Sequence, residues 1–345
     1  MTTSKSISTA ALVCTRRTFL RAAAFGSLAL TGILGACGSL TPAQTNSGNT
    51  AARTPAANFN PDLELNLTAL PAEVAVLPGA LTKVWTYQAE VLKGDSAAVQ
   101  AIPGSWLGPI IRARTGQRVR VYFTNRLPEN QPSIVHWHGL ALPEAMDGHP
   151  RYAIAPGQTY TYEFEVKNRA GTAWFHPHPH GLTPTQVYQG LAGLFLVSDA
   201  EETALGLPSG AYDLPIVIQD RTFDSNNQLV YSGSGASAAA GTGGMGSMGG
   251  MNGMGGMMTG MMGFLGERVM VNGKPDMLLS VATRPYRLRL LNGSNARIYK
   301  LAWSSGTPLT VIGSDGGLLE RPVTRPYVTL APGERIELWL SLIHI

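Results

Sequence analysis

Trp174-Phe175-His176-Pro177-His178-Pro179-His180-Gly181 places histidine at three alternate positions. In an extended strand alternate side chains share a face, so these imidazoles point the same way. Upstream, His136-Trp137-His138-Gly139 repeats the spacing, again with a tryptophan beside the histidines and a glycine at the end. The two clusters hold five of the seven histidines in the chain. Imidazole suits copper, zinc, iron and nickel. A lone histidine on an apolar face is ordinarily a core residue. Two His-x-His strands side by side instead present four or five nitrogens to one point, and a metal site is the reading they support.

Outward from these clusters the chain keeps the two-residue period. Leu63 to Leu67 alternates apolar and polar, Lys83 to Val91 is rich in β-formers, and Arg118 to Phe123 alternates up to Asn125. Thr159 to Val166 follows the turn Ala155-Pro156-Gly157, and Leu191 to Val197 reads as a buried strand closed by Ser198-Asp199. No long segment holds a helical period. The expected class is all-β, a sandwich or Greek-key barrel. A second unit begins near Tyr212. Tyr286 to Asn292 echoes Arg118 to Asn125, and Leu330-Ala331-Pro332-Gly333-Glu334 echoes Ile154-Ala155-Pro156-Gly157-Gln158. The pattern is an internal repeat of one β-domain. The first copy carries His136 and His138 between its two signposts. The second carries Ile298 to Trp303 there, without histidine.

The 345 residues allow two ordinary domains, and 40 glycines, 23 prolines and only 14% charged residues favour turns and short strands over long helices. The formal charge of +4 resides in the leader. Lys5, Arg16, Arg17 and Arg21 lie there without acids, leaving 22 basic against 22 acidic residues elsewhere. That neutral body points away from nucleic acid and from a basic membrane-binding face. The two cysteines, Cys14 and Cys37, both belong to the leader, so the body offers neither a disulfide framework nor a thiolate ligand.

Thr15-Arg16-Arg17-Thr18-Phe19-Leu20, followed by an Ala/Gly/Leu run, reads as a twin-arginine export signal over residues 1–37. The run is too short and too glycine-rich for a stable membrane span. Leu34-Gly35-Ala36-Cys37 resembles a lipobox, which makes Cys37 the lipidation site and the mature protein lipid-anchored. Ordinary cleavage nearby would leave it soluble. Residues 38–61 form a linker, expected to be flexible. Residues 62–200 make the first β-domain and 205–345 the second. Within the second lies a low-complexity insert, 241–263, carrying Met245, Met248, Met251, Met254, Met257, Met258, Met261 and Met262. Its glycines oppose a core helix. Thioether sulfur is soft and selects Cu(I), so the insert reads as a metal-handling segment, with a methionine-rich linker as the alternative.

These motifs resemble the multicopper oxidases, in particular the bacterial laccase-like and cuprous oxidases. The similarity runs from about residue 75 to residue 342 through HWHG (136–139), APG (155–157), WFHPHPHG (174–181), GLAGLFLV (190–197), RLRLLNGSNAR (287–297) and GSDGGLL (313–319). The resemblance implies tandem cupredoxin-like Greek-key β-barrels and copper as the cofactor. It makes His136 a type 2 copper ligand and His138, His176 and His178 type 3 ligands. His180 stands behind them, and Asp147 relays protons. It also implies oxidation of substrate by single electrons, with four-electron reduction of O2 to water, in copper homeostasis. Cu(I) is the favoured substrate, with phenols or Fe(II) as alternatives, and the periplasm or cell envelope the expected location.

In one respect the chain departs from the family. The resemblance places four more cluster histidines, and the type 1 copper with its cysteine, in a third domain. The chain carries neither the motifs of that domain nor the cysteine, so it reads as a truncated form, inactive alone. The rival reading is a non-catalytic envelope copper-binding or scaffold protein. Copper-free relatives that serve as cell-division scaffolds usually lose the histidines, and their retention here weighs against that reading.

Overall fold

Alternating burial, rather than any helical stripe, dominates the computed structural model, which describes residues 53–231 and 263–341. The leader with Arg16, Arg17 and Cys37, and the methionines from Met245 to Met262, lie outside the described residues. The first half of the body contains nine strands: β1 (Leu63–Val74), β2 (Thr82–Lys93), β3 (Val99–Gln100), β4 (Ile110–Arg114), β5 (Arg118–Asn125), β6 (Val135–His138), β7 (Thr159–Glu165), β8 (Gly171–Pro177) and β9 (Gly193–Ser198). They form two sheets, β2-β1-β5-β7 and β3-β4-β9-β8-β6. In β1 every second residue from Leu63 to Ala69 is fully buried. That row meets Val119, Val121 and Phe123 of β5, and from the other sheet Trp137, Phe175 and Phe195. The period-2 pattern thus supplies one inward face per sheet, and the two faces close on a shared core. Strands β1 and β5 run parallel, as do β4 and β9, while the remaining pairs are antiparallel. Chain-distant strands are therefore neighbours, as in Greek-key folds.

The second half follows with β10 (Asp213–Phe223), β11 (Leu229–Val230), β12 (Arg268–Val271), β13 (Pro285–Asn292), β14 (Tyr299–Leu301), β15 (Leu309–Ser314), β16 (Gly317–Arg325), β17 (Val328–Leu330) and β18 (Arg335–Ser341). Its main sheet is ordered β11-β10-β13-β18-β15-β16, with β12 on β10 and a separate β14-β17 pair. Strand β10 lies parallel to β13 and β13 antiparallel to β18, repeating the relation of β1, β5 and β7.

The repeat extends to single atoms. Asn125 and Asn292 end β5 and β13, and both are fully buried. Asn125 Nδ2 donates to the Ile154 carbonyl and its Oδ1 accepts from the Leu127 amide. Asn292 makes the same pair of bonds with Leu330 and Ser294. Gly157 and Gly333 each donate an amide to the carbonyl of their asparagine, at 2.7 and 2.8 Å. Each asparagine thus ties the end of one strand to the Ala-Pro-Gly turn that launches another.

Two short helices complete the described residues with a few single-turn 3-10 segments: α1 (Thr183–Gln189) and α2 (Ala200–Ala204). Tyr188 of α1 packs against Tyr231 and Phe264, with ring centroids 4.7 and 4.9 Å away, and those two rings lie 5.1 Å apart. The last described residue before the insert and one of the first after it therefore meet on α1.

The halves are joined by buried charge. Glu337 of β18, fully buried, accepts from Arg287 and Arg289 of β13 and from Thr172 Oγ1 of β8 at 2.6 Å. Arg287 also pairs with Glu202 of α2, and Arg289 Nε donates to Asp213 Oδ1 at 2.7 Å. Each charge has an opposite partner, as burial at these positions demands.

Candidate metal centre

Strands β6 and β8 pair antiparallel with His136 opposite His176, Trp137 opposite Phe175 and His138 opposite Trp174. Pleating sends Trp137 and Phe175 into the core and the histidines to the other face. His178, one step past the strand, stays in register through a 2.8 Å bond from its amide to the Ile134 carbonyl. The four rings lie together, with the His136 centroid 5.5, 5.2 and 5.4 Å from those of His138, His176 and His178. One nitrogen each from His136, His138 and His176 falls within 4.8 Å of the others. His180 is exposed in the turn beyond. The structure thus gathers four of the five histidines of the two motifs.

Hydrogen bonds fix the tautomers. His136 Nδ1–H donates to the Asp147 carbonyl at 2.7 Å, and His176 Nδ1–H to the Pro177 carbonyl at 2.9 Å. In both rings Nε2 is left with a free lone pair, the form a metal needs. His176 Nε2 lies 3.4 Å from His138 Nδ1. Two nitrogens each ~2.0–2.1 Å from one tetrahedral ion are separated by ~3.3–3.4 Å, so this pair is spaced to share an ion. His178 Nδ1 is buried without a hydrogen-bond partner. A buried imidazole nitrogen left bare costs free energy, and a metal ion relieves it. The donor set, all imidazole with no thiolate, suits copper.

Burial, with neighbouring charge, favours the neutral form of three of the rings. Burial first, then the positive charge of Arg335, pushes His138 down to about 4. Burial also lowers His176 well below its ordinary range, with His136 and His138 adding to the effect, and lowers His178, with His136 contributing. Neutral imidazoles bind metal without first losing a proton.

Asp147 closes a 3-10 turn, Glu144–Met146. Its carboxylate Oδ1 is 3.4 Å from His136 Nδ1 and its side chain is 39% exposed, so it touches both the ring and solvent. Gly148 makes this approach possible. At φ +81° it lies so near β6 that a Cβ would fall 1.9 Å from the Val135 carbonyl oxygen.

Three further residues support the site, of which only Trp174 stood in the motifs. Gln186 of α1, fully buried, accepts from Ser133 Oγ and donates to the Pro132 carbonyl, both at 2.9 Å, and so fixes the entry to β6. Trp174 stacks beside His176 with centroids 4.2 Å apart and reaches His138 at 5.2 Å. Arg335 comes from the half that contributes no histidine to the cluster. Its Nε donates to the Thr172 carbonyl of β8 at 3.0 Å and its Nη1 pairs with Asp315 at 2.8 Å. Neither a helix glutamine nor a strand arginine announces such contacts, because the partners Ser133, Pro132, Thr172 and Asp315 lie far away in the chain.

A profile described as multicopper oxidase matches residues 83–202, the span that holds all four clustered histidines. The Staphylococcus aureus multicopper oxidase mco is 36% identical over 253 residues, 73% of this chain and 51% of that protein. The chain belongs to the multicopper oxidase family. Its cupredoxin-like β-domains agree with the crystal structure of the McoA multicopper oxidase of Aquifex aeolicus, at TM-score 0.66 and 36% identity over 83% of this chain and 56% of that one. The cell division protein FtsP of Escherichia coli K12 is 34% identical, over 72% of this chain and 48% of its own. The chain spans about half the length of the curated relatives it matches. Membership of the multicopper oxidases makes copper the family cofactor and oxidoreductase the family's kind of activity. The near-equal identities to an oxidase and to a cell division protein leave the distinction between them to the site itself.

Proposed function

We propose that His136, His138, His176 and His178 hold copper as half of an oxygen-reducing cluster. His136 serves the type 2 ion and the other three serve the type 3 pair. The observation that carries this reading is the convergence of four imidazoles on one sheet face, with His178 Nδ1 buried and unpartnered. Copper, when bound, supplies one-electron exchange and the reduction of dioxygen. The chain's own residues orient and protonate. The Asp147 carbonyl and the Pro177 carbonyl hold two rings in the ligating tautomer. Reduction of O2 to two waters takes four electrons and four protons, and the Asp147 carboxylate, open to solvent on one side and against His136 on the other, can pass those protons inward.

Four imidazoles are half of the eight that a trinuclear cluster takes. The remaining ligands, and the type 1 copper that admits electrons, come from a further domain or chain. The eight methionines from Met245 to Met262 make Cu(I) the favoured reductant over phenols and Fe(II). Arg16-Arg17 and Cys37 assign export by the twin-arginine route and a lipid anchor, and hence a role in envelope copper homeostasis.

The test is an anaerobic Cu(II) titration of the purified chain followed by electron paramagnetic resonance. The parent is expected to show weak binding with nitrogen hyperfine structure, and His176→Gln to lose it. A chain that shows no nitrogen-ligated copper, or a variant that binds like the parent, would remove the copper reading. A second reading, a scaffold without catalysis, is favoured by the similarity to cell division proteins and would then stand.

A further inference from the structure

The second β-domain contributes no histidine to the site, yet it reaches the site. Its Ala331-Pro332-Gly333 turn abuts a ligand ring so closely that a Cβ on Gly333 would lie 3.2 Å from His138 Cε1. Two residues on, Arg335 is 5% exposed. Its guanidinium is fully committed. Nε donates to the Thr172 carbonyl at 3.0 Å, Nη1 to the Gly333 carbonyl at 3.0 Å, and Nη2 to the Asp315 carbonyl at 3.2 Å. It also lies under the residue that follows His138, since a Cβ on Gly139 would come within 2.5 Å of Arg335 Nη2. The glycine at the end of the His-Trp-His-Gly motif is therefore the gap that admits this cation.

We infer that Arg335 is a positioning residue that tunes the histidine site, a fixed positive charge lent by the second domain to bias bound copper toward its lower charge state. The inference rests on the copper reading above. A buried cation beside a ligand ring repels a divalent ion more than a monovalent one, in proportion to charge. The site therefore holds Cu(I) in preference to Cu(II), which favours acceptance of an electron. Asp315, whose carboxylate is half exposed, offsets part of that charge from the solvent side. Arginine suits the task because it stays charged where it is buried and its planar fork satisfies three carbonyls at once. The second repeat has thus kept a part in the chemistry by supplying charge in place of ligands.

Cu(II) binding to the purified chain separates tuning from support. Cu(II) is the probe because thioethers favour Cu(I), so the imidazoles report alone. Arg335→Met should tighten Cu(II) binding, on the order of ten-fold. Arg335→Lys, which keeps the charge, should stay near the parent. Asp315→Asn, which keeps the shape and removes the opposing charge, should weaken binding several-fold. Circular dichroism and urea titration check that each variant is folded, and Arg335→Lys carries the test if Arg335→Met is not, because a brace that loses its three-carbonyl fork would weaken binding there while a retained charge would not. A brace without an electrostatic role would loosen the site in both Arg335→Met and Asp315→Asn, and weakening in both would overturn the inference. Nitrogen-ligated copper that is lost in His176→Gln, with Arg335→Met and Asp315→Asn both unchanged, would overturn it alone. Absence of nitrogen-ligated copper in the parent would overturn it together with the copper reading.

Discussion

Among single residues, His138 shows most directly what assembling the site costs. Its folded pKa, about 4, lies below the ordinary value of 6.5. Above pH 6.5 the ring is neutral in the folded and unfolded chain alike, and the stability it permits is fully present. As the pH falls from about 6.5 to about 4, the unfolded chain takes up a proton that the folded chain refuses, so stability drops. Below about 4 both states are protonated and the loss is complete. His176 and His178 shift in the same direction. Urea midpoints of the metal-free chain should therefore fall between pH 7 and pH 4, and His138→Gln should flatten that slope. A slope identical in parent and variant would show that other groups set it. The histidines were legible in the sequence because their spacing matches the strand period, which fixes a common face before any tertiary contact is known. Arg335 and Gln186 were not, because a strand arginine and a helix glutamine take on their roles only through partners brought close by the fold.

Element by element, the agreement follows the same division. Strand β1 extends from the alternating run at Leu63 to Leu67 out to Val74, and β5 ends at Asn125 as its turn asparagine implies. The repeat from β5 to β13 was readable because the Asn and Ala-Pro-Gly signposts each perform a local backbone task. Helix α1, seven residues long, left no helical period to read. Nor did motif reading reveal how Asp147 is brought to the histidines, which depends on Gly148 lying against β6. Gly148→Ala would put a methyl group into the Val135 carbonyl and force a side chain into the left-handed region. The variant should lose about 3 kcal/mol or more of stability, or move the 144–148 turn away from His136. Urea unfolding measures the first, and the loss of nitrogen-ligated Cu(II) the second. Parent-like values of both would mean that the turn is looser than its geometry.

For the molecule as a whole, the buried charges between the β-domains decide whether the histidine face and the Ala331-Pro332-Gly333 turn stay together. Glu337 accepts from two arginines and one threonine with none of its surface exposed. Glu337→Gln keeps the volume and removes the carboxylate that both arginines share, leaving them Glu202 and Asp213 alone, which should cost up to ~3–5 kcal/mol and show as a lower urea midpoint. It should also reduce Cu(II) binding, although the site is on another strand. An unchanged midpoint would mean that water replaces the lost charge. The aromatic cluster of Tyr188, Tyr231 and Phe264 has a different kind of consequence. With the Tyr231 and Phe264 rings 5.1 Å apart on α1, the chain leaves the β-domain and re-enters it at nearly one place. Doubling the number of residues between two such points costs only about 0.6 kcal/mol in closure entropy. Descendants of this gene can therefore rewrite that segment in length and composition without disturbing the barrel. Selection for what the cell must bind and selection for a stable fold can then proceed at two different rates within one polypeptide.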